Sequence, residues 1–406
     1  MKSRYYSEHI ESIAFSDHKM VFLSGPRQSG KTTLSKILLK KRKLGSYHNW
    51  DDISFRRIWT KDPKQIVPAQ TKNVPLVILD EIHKAKSWKR SLKGIYDTLE
   101  YPVDLLVTGS ARLNVYKKGG DSLLGRYYHF RLHPFSLAEL THKKTPTPDE
   151  TLSLLFDEKP SSQKTNKEIL QHLFEYGAFP DPYLAQDKRK AKLWRQDRIE
   201  RVIREDLRDL SRIPELSQIE MLASLLPERI GSLLSINGLK EDLEVSYDTI
   251  KRWLQALDNL YYCFRIKPYS KSIKRSLKKE PKLYLWDHSE IEDKGSRFEN
   301  LIASHLLKAC HFWTDTGEGK FDLCYLRNKE KQEIDFLITK DNKPWLPLEV
   351  KSQSTTPAPT WKKLFPQLAC KRGIQIVSKE NIWKSTFVED KEILIASASE
   401  VLSCFV

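Results

Sequence analysis

The sequence predicts an α/β protein, and three observations predict it. A glycine-rich loop, Gly25-Pro26-Arg27-Gln28-Ser29-Gly30-Lys31-Thr32-Thr33, follows the apolar run at 20–23 and precedes a helix-like stretch at 34–39. Strand-like runs recur at 46–50, 74–81 and 103–110, alternating with helical stretches, as in a parallel sheet covered on both faces. A second group of strand-like runs, 323–326, 333–338 and 345–351, follows a helix opening at residue 295.

The loop has the spacing of a P-loop in the strand-loop-helix setting that the motif requires. Gly25 and Gly30 let backbone N–H groups close around a polyphosphate, and the following helix points its positive end at the same charge. Lys31 then reaches the β and γ phosphates and Thr32 the magnesium, so residues 25–33 are the expected binding set for ATP or GTP with Mg2+. The run at 74–81 ends in Asp80-Glu81, where Asp80 is expected in the magnesium shell and Glu81 as the group that polarises the attacking water. Thr108-Gly109-Ser110 ends the next run, with Ser110 as a candidate sensor of the γ-phosphate. Arg126 stands just before a further strand at 127–132.

This order of motifs resembles AAA+ ATPases. The resemblance implies that Arg126 is an arginine finger acting on a neighbouring subunit, and hence a homo-oligomer such as a hexameric ring. Asp-Glu-Ile-His at 80–83 also resembles the DExH box of helicases, but no second RecA-like unit follows. Together with Leu124-Gly125-Arg126, residues 133–140 (His-Pro-Phe-Ser-Leu-Ala-Glu-Leu) and Gly177-Ala178-Phe179-Pro180, the motifs resemble one prokaryotic family of AAA-type ATPases fused to a carboxyl-terminal domain of unknown function. The AAA+ core is expected over 1–140.

Composition sets the outer limits. At 406 residues the chain is expected to hold two to four domains. With 30% charged residues and no apolar run near the roughly 18 residues that span a bilayer, it reads as cytoplasmic and not membrane-bound. Five scattered cysteines without CxxC pairing suggest neither a disulfide framework nor a zinc site. A net charge of +16 implies a polyanionic partner.

A linker and helical lid are expected over 141–214, with an amphipathic helix at 193–210. Helices at about 217–233, 238–243 and 247–259, then strands near 261–268 and 282–287, have the layout of a winged helix-turn-helix over 215–290. Ser246 is positioned to cap the third helix, which Ile250, Trp253, Leu254 and Leu257 anchor. Tyr247, Thr249, Lys251 and Arg252 stay outside as candidate DNA contacts. The connection between the strands carries Lys271, Lys274, Arg275, Lys278 and Lys279, the composition of a wing on a DNA backbone.

Residues 291–406 hold a second constellation. Glu349 and Lys351 share a strand face with Val350 directed to the core, and a hairpin can bring Asp335 beside them. Two carboxylates and a lysine around magnesium suit phosphodiester hydrolysis, with Asp335 and Glu349 as the metal ligands. The spacing resembles the PD-(D/E)XK nuclease fold, a restriction-endonuclease-like α/β domain. In that fold Glu299 matches the glutamate of archaeal-type Holliday-junction resolvases, although Ile334 stands where proline is usual. Gln367 is a further candidate, and 381–406 shows no motif. Two functional readings follow: an ATP-driven protein that remodels or moves along DNA, branched DNA included, or a nucleotide-dependent switch or defence-type NTPase whose inactive nuclease-like domain binds protein partners.

Overall fold

The computed structural model describes residues 4–109, 123–141, 144–158, 164–207, 215–270 and 280–406, and of 205 and 206 the backbone alone. It divides into two compact units, residues 1–134 with 259–261, and residues 135–258 with 262–406.

The first unit is built on strands β1 (Met20–Ser24), β2 (Gly45–Asn49), β3 (Leu76–Asp80), β4 (Asp104–Thr108) and β5 (Tyr127–Arg131). They form one all-parallel sheet in the order β2-β3-β4-β1-β5. Every residue of β1, β3 and β4 is buried, the pattern of interior strands covered on both faces, whereas edge strands β2 and β5 are only partly covered. Helices α1 (Lys31–Arg42), α2 (Ile53–Lys61) and α3 (Trp88–Asp97) connect them. Trp59 of α2 and Trp88 and Leu92 of α3 pack with Phe22, Val77, Leu79 and Val107 from the strands. The strands are shorter than the apolar runs that predict them, because ladder pairing begins only at Leu76 and Asp104.

The second unit contains helices α4 (Leu137–Thr141), α5 (Pro148–Phe156), α6 (Lys164–Tyr176), α7 (Pro180–Ala185) and α8 (Lys188–Glu200). Then follow α9 (Leu216–Leu225), α10 (Ile236–Leu243) and α11 (Tyr247–Asn259). The helix expected over 217–233 stops at Leu225 and tightens into a 3-10 turn over Leu226–Arg229, because Pro227 has no N–H to continue the ladder. Ser246 Oγ accepts the Thr249 N–H at 3.1 Å, and Ile250, Trp253, Leu254 and Leu257 are fully buried.

Strands β6 (Cys263–Pro268) and β7 (Lys282–Leu285) form an antiparallel hairpin. It is continuous with the carboxyl-terminal strands, since β6 pairs in parallel with β8 (Phe321–Arg327) through Lys267 and Pro268. With β9 (Glu333–Lys340), β10 (Lys343–Lys351), β11 (Arg372–Val377), β12 (Trp383–Val388) and β13 (Lys391–Ser397) the order is β12-β13-β11-β10-β9-β8-β6-β7. The residues in which the sequence shows no motif thus supply two strands.

Helix α12 (Lys294–Asp315) runs on past the expected end near 306, because Ala309, Cys310, Phe312 and Trp313 continue its buried face. Asn300 on α12 receives the Leu285 N–H at 2.7 Å and donates to the Leu285 carbonyl at 2.8 Å, which pins the helix to β7. Val350, expected in the core, is only half-buried, and Glu349 takes the buried position. Among the described residues no helix is long and apolar enough to cross a membrane.

Residues 136–139 of the run at 133–140 dock on α12. Lys308 Nζ donates to Ser136 Oγ at 2.8 Å and to Glu139 Oε2 at 2.5 Å. His305 Nε2 accepts the Leu137 N–H at 3.1 Å while Nδ1 meets the Leu301 carbonyl at 2.8 Å, which fixes a neutral ring with its proton on Nδ1. Burial, helped by the neighbouring Lys308 charge, pushes its pKa down to about 3. Because the unfolded ring protonates near 6.5, this unit loses stability as pH falls below that value, down to about 3. Between pH 7 and pH 5 the loss from His305 is about 2 kcal/mol, measurable by denaturant unfolding, and His305→Asn flattens that slope.

Candidate functional site

The P-loop takes its shape from backbone positions that exclude side chains. Gly25 has φ 148°, and a Cβ there would lie 2.2 Å from the Leu132 carbonyl oxygen, so only glycine fits between β1 and the chain leaving β5. Gly30 at φ 95° delivers the chain into α1. Ser29 is buried, and Arg27, Gln28 and Thr33 are half-buried. Lys31 Nζ lies back over the loop, donating to the carbonyls of Gly25 at 2.9 Å and Pro26 at 2.7 Å.

Below the loop, Asp80 at the end of β3 collects three hydroxyls. Thr32 donates to Oδ2 at 2.9 Å, Tyr47 of β2 donates to the same oxygen at 2.6 Å, and Thr108 of β4 donates to Oδ1. Burial and the bond to Asp80 raise the Tyr47 phenol above its ordinary value. Thr32 and Asp80 are an alcohol and a carboxylate in contact at the helix start, the donor set a magnesium ion takes beside a nucleotide. Glu81 follows in the left-handed region, φ 57°, with Oε2 3.5 Å from His83 Nε2 and 3.9 Å from Lys84 Nζ. Burial raises its pKa, against the pull of Lys31 and Lys84.

Arg126 is held within its own unit: Nε donates to Asp97 Oδ1 at 2.6 Å and Nη2 to Oδ2 at 2.9 Å. Ser110 lies outside the described residues. Sequence reasoning missed Tyr47, Thr108 and Arg4. Thr108 stood in the run that supplied Ser110, but Tyr47 reaches Asp80 only because β2 lies beside β3, which spacing alone does not reveal. Arg4 donates to the carbonyls of Ser29 and of His133, the latter at 2.6 Å, bracing the loop from behind.

In the second unit Tyr247, Lys251 and Arg252 are exposed and Thr249 half-buried, so one face of α11 is open. Lys271, Lys274, Arg275, Lys278 and Lys279 lie outside the described residues.

The carboxylates of the nuclease-like quartet do converge. β9 and β10 are laddered as far as Phe336 opposite Leu348. Beyond that pair Asp335 Oδ2 accepts the Val350 N–H at 2.9 Å, and Glu349 Oε2 lies 3.3 Å from the Asp335 N–H that it accepts. Lys351 Nζ is 2.7 Å from Glu349 Oε1. A residue absent from the sequence prediction sits among them: Lys282 Nζ is 2.5 Å from Glu333 Oε1, 3.5 Å from Glu299 Oε1 and 3.6 Å from Asp335 Oδ1. Tyr284 donates to Glu299 Oε1 at 2.7 Å, and Arg327 to Glu333 Oε2 at 3.1 Å. Burial opposes the charge on Lys282, but Glu299, Asp335 and Glu333 outweigh it and hold its pKa above the ordinary lysine value. Burial and the Asp335 charge push Glu349 up to about 7.

The expected Asp335 and Glu349 metal site does not fit this arrangement. Each of their oxygens already has a partner, in Val350 N–H, Asp335 N–H, Lys351 or Lys282, and among the described residues no cluster of His, Cys, Asp or Glu is set to hold a metal ion. Gln367 is exposed and donates to the Lys363 carbonyl of its own turn at 2.7 Å, away from the cluster.

The parallel sheet order and the joined Lys31 loop, Thr32 and Asp80 define a P-loop nucleotide-binding domain. Residues 17–141 match the profile of the AAA domain AAA_14, and this part of the chain is an AAA-family domain. Two domains of unknown function follow, DUF8612 over 167–290 and DUF4143 over 294–388. An uncharacterized protein of Haemophilus influenzae is 23% identical over 355 residues, covering 81% of this chain and 82% of its own. One of Mycobacterium tuberculosis is 22% identical over 352 residues, covering 83% and 71%. Among solved structures, a Walker-type ATPase of Pyrococcus abyssi aligns with TM-score 0.43 and 12% identity over 73% of this chain and 99% of its own. The replication initiator DnaA bound to AMPPCP and single-stranded DNA aligns with TM-score 0.30 and 14% identity over 62% and 86%.

Replacing Tyr47 by Phe removes one of the three donors on Asp80. The expected cost is about 1 kcal/mol in stability of the nucleotide unit, read by denaturant unfolding.

Proposed function

We propose that this chain is an ATP-hydrolysing AAA protein that binds DNA and remodels it or moves along it. The observation that carries the ATPase reading is the contact of Thr32 with Asp80 under the Lys31 loop, with Glu81 next in the chain. On nucleotide binding Lys31 leaves the Gly25 and Pro26 carbonyls for the phosphates, and N–H groups of the loop and α1 hold the phosphate oxygens. Thr32 and Asp80 would hold magnesium, which supplies charge neutralisation at the phosphates when bound. Glu81, raised in pKa by burial, accepts the proton of the attacking water.

The DNA reading is supported by the +16 charge and by the exposed Tyr247, Lys251 and Arg252 on α11. Branched DNA such as a Holliday junction is the target suggested by the nuclease-like quartet. In this reading the carboxyl-terminal domain cuts or grips that DNA, and gripping is favoured by the Lys282 ammonium among the carboxylates of Glu299, Glu333 and Asp335. The same observation favours a second reading, a nucleotide-dependent switch in which this domain binds protein.

The deciding experiment is the ATPase rate at one fixed salt with no DNA, single strand, linear duplex and a four-way junction. Stimulation by DNA supports the first reading; basal hydrolysis indifferent to every DNA supports the second. Glu81→Gln keeps ATP binding and lowers turnover by roughly 10²-fold or more, and unchanged turnover removes Glu81 from its role. Arg126 acts in trans only by leaving Asp97, so Arg126→Ala depresses hydrolysis in an assembled oligomer; full activity of the variant as a monomer refutes that role.

A further inference from the structure

We propose that Lys282 is a built-in cation occupying the place of a divalent metal, so that the carboxylate cluster is a metal-independent clasp joining β7, α12 and β9. This inference is independent of the nucleotide reading and rests on the geometry of the second unit alone.

Three features carry it. First, the ring has the size of an ammonium: Glu333, Glu299 and Asp335 oxygens stand 2.5, 3.5 and 3.6 Å from Lys282 Nζ, whereas magnesium draws its oxygens to about 2.0–2.1 Å. Closing the ring onto a metal would require expelling a side chain that is 3% exposed. Second, each carboxylate of the cluster has a further partner. Glu299 takes the Tyr284 hydroxyl, Glu333 takes Arg327, Glu349 takes Lys351 and the Asp335 N–H, and Asp335 takes the Val350 N–H. Lys282, Lys351 and Arg327 thus face the carboxylates of Glu299, Glu333, Asp335 and Glu349, and a divalent ion added to them would reverse the local balance.

Third, the surrounding backbone is fitted to this state. Gly231, at φ 74°, lies against the Glu299 carboxylate, and a Cβ there would stand 3.0 Å from Oε2. Leu233 bridges to Lys282, and the Leu234 N–H donates to the Pro281 carbonyl at 2.8 Å, so the chain before α10 is laid along β7. Lys282 is not a second hydrolytic lysine in this arrangement. Its ammonium is enclosed by carboxylates, while the lysine of the motif, Lys351, is only half-buried.

The test uses nucleotide-free full chain and Mn2+ as the probe, followed by paramagnetic resonance and by melting temperature. Wild type is expected to bind no Mn2+ that Asp335→Asn removes, and to melt at the same temperature with and without the ion. Lys282→Ala empties the ring and the more conservative Lys282→Gln removes its cation. They are expected to gain Mn2+ binding that a second substitution, Asp335→Asn, weakens by roughly tenfold or more, and to be stabilised by Mn2+. Wild-type Mn2+ binding lost in Asp335→Asn, or Mn2+-dependent cleavage of a four-way junction lost in Asp335→Asn, overturns the proposal. Folded Lys282 variants that gain no Mn2+ binding overturn it as well. If neither variant folds with or without Mn2+, the wild-type comparison with Asp335→Asn decides alone.

Discussion

A charge buried in a protein has to be answered by other charges, and the second unit is arranged around that demand at Lys282. Its strand, β7, is the last of the sheet, and its ammonium reaches back to carboxylates on α12 and β9. Desolvating one ammonium and three carboxylates is costly, and the geometry recovers the cost only with all partners in place. The elements that supply those partners are therefore fixed relative to one another: the hairpin by Lys282 and Tyr284, the helix by Glu299 and Asn300, and the split of β9 from β10 by Asp335 and Glu349. In the proposed clasp, what resembles catalytic equipment in a list of residues is a set of groups that answer one another's charge.

The nucleotide unit follows the opposite logic. Asp80 gathers hydroxyls from β2, α1 and β4, but these are neutral donors that can turn to other acceptors. Lys31 rests on main-chain carbonyls, which hold a lysine far less firmly than a ring of carboxylates. Glu81, in left-handed backbone beside His83 and Lys84, is held by contacts longer than hydrogen bonds. Partners that are weak or exchangeable suit a site that must rearrange around a ligand.

Much of this was legible in the sequence because it is local. The P-loop, the Asp80-Glu81 strand end, the Ser246 cap and the apolar face of α11 each lie within one element or one turn, where spacing determines direction. The hairpin that brings Asp335 to Glu349 was legible for the same reason. Lys282 was not, since it lies 53 residues before Asp335 and 67 before Glu349, and nothing in its neighbourhood distinguishes it from the lysines before it. Its place depends on β6 joining β8 through two residues, a long-range pairing that no periodicity reports. Tyr47 escaped for a similar reason: lateral strand order, not sequence distance, decides which side chain meets Asp80. The strands of the last 26 residues were missed because in β12 the polar Lys384, Ser385 and Thr386 interrupt the apolar Trp383, Phe387 and Val388, and the apolar run of β13 is confined to residues 393–396.

The Asn300 side chain has a consequence beyond holding a helix. By exchanging two hydrogen bonds with Leu285 it imitates a neighbouring strand, and with the Leu233 bridge it closes the outer border of β7. The far border of the sheet is β12, where Lys384 and Phe387 are exposed and no further strand follows among the described residues. An eight-stranded sheet sealed on one side can be extended only from the other. Any strand contributed by a second polypeptide would have to align along β12, giving the domain a directional limit on how it can be built upon.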